Sequence, residues 1–135
     1  MTVVRETRAM LALMEAVIEP GEVVFCSTTA PTTIATAAPL ALATFREAEG
    51  LSLILWAEDA RALGFPCDVP MQRITLQVFS SLEGIGLTSA VAGALTGAEI
   101  PCNMVAAFHH DHVFVPAQMA GAALEVLRRL QQDSR

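Results

Sequence analysis

The sequence predicts an α+β fold of two related halves, each a small antiparallel sheet with helices on one face. Three observations carry this. From Ile74 to Leu130 the residues read strand, helix, strand, strand, helix, an order that closes into such a sheet once one more strand is supplied. The stretch ATFREAEGLSLIL followed by a helix can be laid over AAFHHDHVFVP followed by a helix, with Phe45 on Phe108, about half the chain apart. The hydrophobic fraction is 53% but the aromatic fraction only 5%, so the core must be built from Ala, Val, Leu, Ile and Met. Such a core spreads readily over more than one subunit. At 135 residues the chain fits one ordinary domain or two very small ones. The expected division is a degenerate N-terminal half with a leading helix, residues 1–70, and a C-terminal half, residues 71–135.

The elements follow in order. Met10, Leu11, Leu13, Met14 and Val17 predict a helix over Thr7–Ile18, stopped by Glu19-Pro20-Gly21. Glu22–Thr28 is β-branched and apolar, and predicts a strand. Thr29–Leu42 carries Pro31 and Pro39 and is expected to be a long loop. Ala43–Glu47 and Leu51–Leu55 form a hairpin around Gly50, whose position favours positive φ. Trp56–Gly64 has acidic residues in its first turn and a closing glycine, the pattern of a helix. Gln72–Phe79 alternates, with Ile74, Leu76 and Val78 on one face. A glycine-flanked turn leads into a helix over Ile85–Leu95, and Asn103–Phe108 with Val113–Val115 makes the second hairpin. Gln118–Gln132 is an amphipathic helix whose buried stripe runs through Met119, Ala122, Ala123, Val126, Leu127 and Leu130.

Composition excludes several function classes. A net charge of −6, with eight scattered Arg and Lys residues, gives no basic field for nucleic acid. Glu15 and Glu99 interrupt the apolar runs before they reach the ~20 residues that span a bilayer. Glu15 also falls where a signal core would have to lie. Cys26, Cys67 and Cys102 are odd in number and widely spaced, which suits reduced thiols in a cytoplasmic protein. No Walker or dinucleotide glycine loop, no HExxH and no nucleophile–base–orienter set is present. Neither catalysis nor a cofactor is expected.

Three stretches, TFREAEGLSLIL, ITLQVFSSLEGIGLTSAVAGAL and NMVAAFHHDHVFVP, resemble a family of short bacterial proteins made of two ACT-like halves. The resemblance covers roughly Pro20 to Leu130. More distantly, the second half is similar to ACT modules of cytosolic arginine sensors and of amino-acid-regulated aspartate kinases. It implies ferredoxin-like tandem βαββαβ halves and the sensing of a small ligand. It also implies that the Glu22–Thr28 strand completes the sheet of the second half and the Ile74–Phe79 strand that of the first. Where a regular ACT unit has its first helix, the first half is expected to have only the Pro/Thr/Ala loop.

In ACT domains that bind amino acids, the ligand commonly sits at the turn between the first strand and the first helix. Here that turn is Ser80, Ser81, Leu82, Glu83, Gly84, Ile85, Gly86 and Leu87. The side chains fit such a role, since serine hydroxyls and amides before a helix N-terminus can hold a carboxylate and Glu83 can meet an ammonium. The plain structural alternative is that Ser80 or Ser81 caps the helix and the glycines shape a tight turn. Asn103 is expected to contribute an amide, and Thr44, Phe45 and Arg46 are weaker candidates for an opposite wall. His109, His110, Asp111 and His112 alternate sides along a strand, so four ligands do not converge there. They are expected to form a polar hairpin tip rather than a metal site, with a pocket-lining role as the alternative. The expected function is a regulatory or sensor module that binds an amino acid and forms a homodimer. The alternative is a structural or interaction protein that dimerises through its sheets or helices and has a vestigial pocket.

Overall fold

The computed structural model describes residues 6–78 and 85–135. The first elements are α1 (Thr7–Leu13), β1 (Glu15–Ile18), β2 (Val23–Thr28), α2 (Pro31–Ala37), β3 (Ala43–Glu47), β4 (Gly50–Trp56) and α3 (Ala57–Ala62). Then come β5 (Met71–Gln77), α4 (Leu87–Gly97), β6 (Asn103–Ala106), β7 (Asp111–Pro116) and α5 (Ala120–Asp133). Strand, helix, strand, strand, helix therefore occurs twice, as β2-α2-β3-β4-α3 and as β5-α4-β6-β7-α5. The described residues form two compact units, one from Met1–Pro20 with Gln72–Arg135 and the other from Gly21–Met71.

In the first of these units the strands run β1-β5-β7-β6. This is the ferredoxin-like order, with β1 supplying the strand that the β5-to-α5 run lacks. β1 pairs antiparallel with β5, from Glu15 opposite Gln77 to Ile18 opposite Ile74. The completing strand is therefore Glu15–Ile18 and not Glu22–Thr28, and the helix expected over Thr7–Ile18 ends at Leu13. The sequence is ambiguous at this joint, because Met10, Leu11 and Met14 fit a helical stripe while Met14, Ala16 and Ile18 fit strand alternation. The free side of β5 decides it. Met10, Met14, Ala16, Ile74, Leu76, Val91, Leu95, Val113, Val115 and Leu127 share one aliphatic core.

The other unit runs β3-β4-β2, with Val23 of β2 also opposite Met71. Its core is smaller: Val24, Ala37, Leu53, Leu55, Ala57 and Ala60. The loop expected over Thr29–Leu42 is instead helix α2 followed by a 3₁₀ turn, Ala38–Leu40. Pro31 occupies the first helical turn, where its missing N–H costs nothing and its fixed φ suits the helix. Pro39 likewise sits at the start of the 3₁₀ turn. The first half thus has its first helix. Gly50 opens β4 at φ +152°, and a Cβ there would lie 2.9 Å from the Thr28 carbonyl oxygen. Close backbone approach, as well as the hairpin, requires glycine at that position.

Candidate functional site

The chain leaves β5 at Gln77 and enters α4 at Leu87. Ser80, Ser81, Leu82, Glu83 and Gly84 lie outside the described residues; Ile85, Gly86 and Leu87 are described. Gly86 caps α4 with φ +100° and without a side-chain cap bond, in a region that glycine alone enters freely. Its carbonyl accepts from Ala90 N–H at 2.9 Å, which starts the helix. The Thr7 hydroxyl donates to the Ile85 carbonyl, and a Cβ on Gly86 would run into that hydroxyl. Leu87 is buried, whereas Ile85 is 82% exposed. The first-turn amides of an α-helix have no acceptor within it, and they carry the positive end of its dipole. The start of α4 can therefore offer N–H donors to a carboxylate.

Asn103 opens β6, opposite Phe114 of β7. It follows the eleven residues of α4, which carry the chain about 16 Å back along the unit. The turn and Asn103 therefore stand at opposite ends of the strands. The hairpin tip stands at the turn's end. Its closing bond runs from Ala107 N–H to His110 carbonyl at 3.0 Å, and His112 touches Thr75, two positions before the end of β5.

That contact belongs to a network the sequence reading missed. Thr75, only 3% exposed, donates its hydroxyl to Glu19 Oε1 at 3.0 Å and meets His112 Nδ1 at 3.1 Å. A hydroxyl has one hydrogen and a carboxylate only accepts, so His112 must donate from Nδ1, which leaves Nε2 as the acceptor in the neutral ring. Burial, then Arg73 and His110, hold the His112 pKa below the ordinary imidazole value, and Glu19 opposes them. Asp111 beside it is 9% exposed, and burial pushes its carboxyl up, against the pull of His110. Alternation was the available signal. With Ile74 and Leu76 in the core, Thr75 must face the other way, and with Val113 and Val115 in the core so must His112. His109 is exposed, its ring edge-on to Phe108 at 5.1 Å. Among the described residues no three His, Cys, Asp or Glu side chains come together as a metal site.

Thr44, Phe45 and Arg46 lie on β3 of the other unit, opposite Leu53, Ser52 and Leu51 of β4. All three are exposed, and Phe45 is 73% so.

Two strand–helix–strand–strand–helix runs, one with a left-handed glycine at the start of its first helix, define a tandem α+β module of ferredoxin-like type. The chain belongs to the ACT-domain family: one ACT-domain model matches residues 3–72 and a second matches residues 72–129. No curated protein matches. Among solved structures, a Vibrio cholerae protein of unknown function, described as a possible transport protein, is similar at 36% identity and a TM-score of 0.82. The match covers 93% of this chain and 95% of that one. The regulatory subunit of aspartate kinase from Thermus thermophilus is similar at 8% identity and a TM-score of 0.63, over 85% of this chain and 95% of that one. Clostridium acetobutylicum aspartate kinase matches at 9% identity and a TM-score of 0.64, over 89% of this chain and 34% of its own. These last two likenesses are of fold alone. No described helix is long and apolar enough to cross a membrane.

Proposed function

We propose that the protein is a regulatory or sensor module that binds an amino acid or a similar small zwitterion at the turn before α4 and performs no catalysis of its own. The observation that carries this is the start of α4, where Gly86 turns the backbone into the left-handed region and no side-chain cap bond forms. A ligand carboxylate suits those amides, and Glu83 suits its ammonium. Membership of the ACT-domain family supports the ligand class. A cytoplasmic homodimer is the setting that agrees with the acidic, thiol-bearing composition and the aliphatic core. Asn103, at the far end of its own unit, fits this site only as a contribution to another copy.

Thermal-shift and calorimetric titration against the twenty amino acids tests the reading. A ligand at about 100 times its Kd stabilises by about 2.7 kcal/mol, and Ser81→Ala with Glu83→Gln should remove that shift. Silence across the set would defeat it. Gly86 is a poor probe, since any side chain there meets Thr7.

A second reading, an interaction protein with a vestigial pocket, is supported by β3. That strand ends its sheet order and exposes Thr44, Phe45, Arg46 and Glu47. A partner retained after the Ser81 and Glu83 substitutions, but lost with Phe45→Ser, would favour it.

A further inference from the structure

Where the end of α5 meets the joint of α1 and β1 lies an open cavity of about 460 Å³. Small-ligand sites span roughly 300–1,000 Å³. Arg128 and Gln132 of α5 and Arg135, two residues beyond its end, line one wall, and the spacing of four keeps the first two on one side of the helix. Glu15 and Ala16 of β1 and Leu13 of α1 line the other. The Arg128 and Arg135 guanidinium groups line this cavity together with the Glu15 carboxylate.

The walls are tied together. Gln131 Nε2 donates to the Ala12 carbonyl at 3.3 Å. Arg8 donates from Nε to the Ser134 carbonyl at 3.2 Å and from its second terminal nitrogen to the Arg135 carbonyl at 3.3 Å. Leu13 is 64% exposed although it sits in the last turn of a helix that buries Met10 and Leu11. The α5 dipole accounts for cations near its C-terminal end. It does not account for the exposed leucine opposite them or for three long-range ties that hold the gap in shape.

We infer that this cavity is a second ligand site, distinct from the turn before α4, for a small carboxylate with an aliphatic stem. The carboxylate sits between Arg128 and Arg135, and the stem lies on Leu13 and Ala16. An α-amino group, where the ligand has one, meets Glu15. Planar guanidinium forks suit a carboxylate, and a charge-assisted bond is stronger than a neutral one.

The test is calorimetric titration of the full chain carrying Ser81→Ala and Glu83→Gln, with leucine and with its α-keto acid as probes. Binding should persist in that background. Arg128→Gln or Arg135→Gln should weaken both probes by about tenfold or more, the loss expected for one charge-assisted hydrogen bond. Both arginines are exposed, so unchanged melting temperatures should accompany the loss. Glu15→Gln should weaken leucine and spare the keto acid. Failure of either probe to bind, or binding indifferent to both arginine replacements, would overturn the assignment. Failure of the turn site shows separately, as identical titrations of the wild-type chain and the Ser81/Glu83 variant.

Discussion

Helices α2 and α4 hold the same place in the two strand–helix–strand–strand–helix runs, yet they are built differently. α4 has eleven residues, opens on Gly86 and buries Leu87, Val91 and Leu95. α2 has seven residues, opens on Ala30 and Pro31 and buries Ala37 alone. Proline has no N–H, so the first turn of α2 offers one donor fewer, and Thr28 Oγ1 already takes the Ala30 N–H at 3.1 Å. The two halves share a fold, but among the described residues only α4 anchors its first turn with a buried leucine, while the first turn of α2 buries nothing. The ligand site proposed above therefore lies in the half whose first helix is the longer and more deeply anchored.

The largest test of that contrast is packing. Leu95→Ala should cost about 2–5 kcal/mol, as truncation of a fully buried leucine does. Ile34→Ala on half-buried α2 should cost about 1 kcal/mol, in proportion to the area it hides. Urea denaturation of both variants checks this, and equal losses would break the comparison. Next in size is the helix start. Gly86→Ala places a Cβ at φ +100° against Thr7, and should cost about 1–2 kcal/mol from the left-handed backbone alone. Pro31→Ala should change stability by no more than about 1 kcal/mol, since that proline fits its site and replacing it only loosens the unfolded chain.

Much of this was legible in the sequence because both hairpins and the long final helix carry unmistakable periods. The order of elements from Ile74 to Leu130 was readable for that reason, as was the Gly50 turn. α2 was not, because Pro31 and Pro39 are breakers in most places but are welcome in a first helical turn. β1 was hidden because the apolar residues from Met10 to Ile18 satisfy two periods at once, and only its partner β5 selects between them. For the candidate site, the glycine before α4 was readable. The distance from that turn to Asn103 follows from strand order, which no local pattern reveals.

The hairpins extend the comparison to pH. His112 is held below its ordinary pKa by burial, with Arg73 and His110 adding to the effect, so the folded state disfavours its cation. That contribution to stability is fully present above the unfolded value of about 6.5, and is lost as pH falls from there through the folded pKa. Asp111 has the opposite sign, because burial raises it. Its contribution is present below about 3.9 and is lost as pH rises through the raised folded value. Denaturation midpoints measured between pH 3 and pH 8 should therefore flatten on the acid side in His112→Gln. In Asp111→Asn they should rise at neutral pH and match the wild type at the acid end. A flat wild-type curve would show that the network of Glu19, Thr75 and His112 is not closed as described.

The smallest effect belongs to the other hairpin. Phe45, laid over Phe108 from the sequence, sits inside β3, whereas Phe108 lies in the turn after β6. Its strand is exposed from Thr44 to Glu47, without a buried ionisable neighbour of the kind that Asp111 makes beside β6. Removing a side chain already 73% exposed forfeits little burial, so Phe45→Ser should move monomer stability by no more than about 0.5 kcal/mol. Its effect on self-association is a separate matter, because an exposed aromatic on an end strand is the kind of surface that a second chain covers. Sedimentation equilibrium alongside urea denaturation separates the two. Unchanged mass with unchanged stability would leave Phe45 without a role, whereas lower mass with unchanged stability would place the association surface on the half with the shorter first helix.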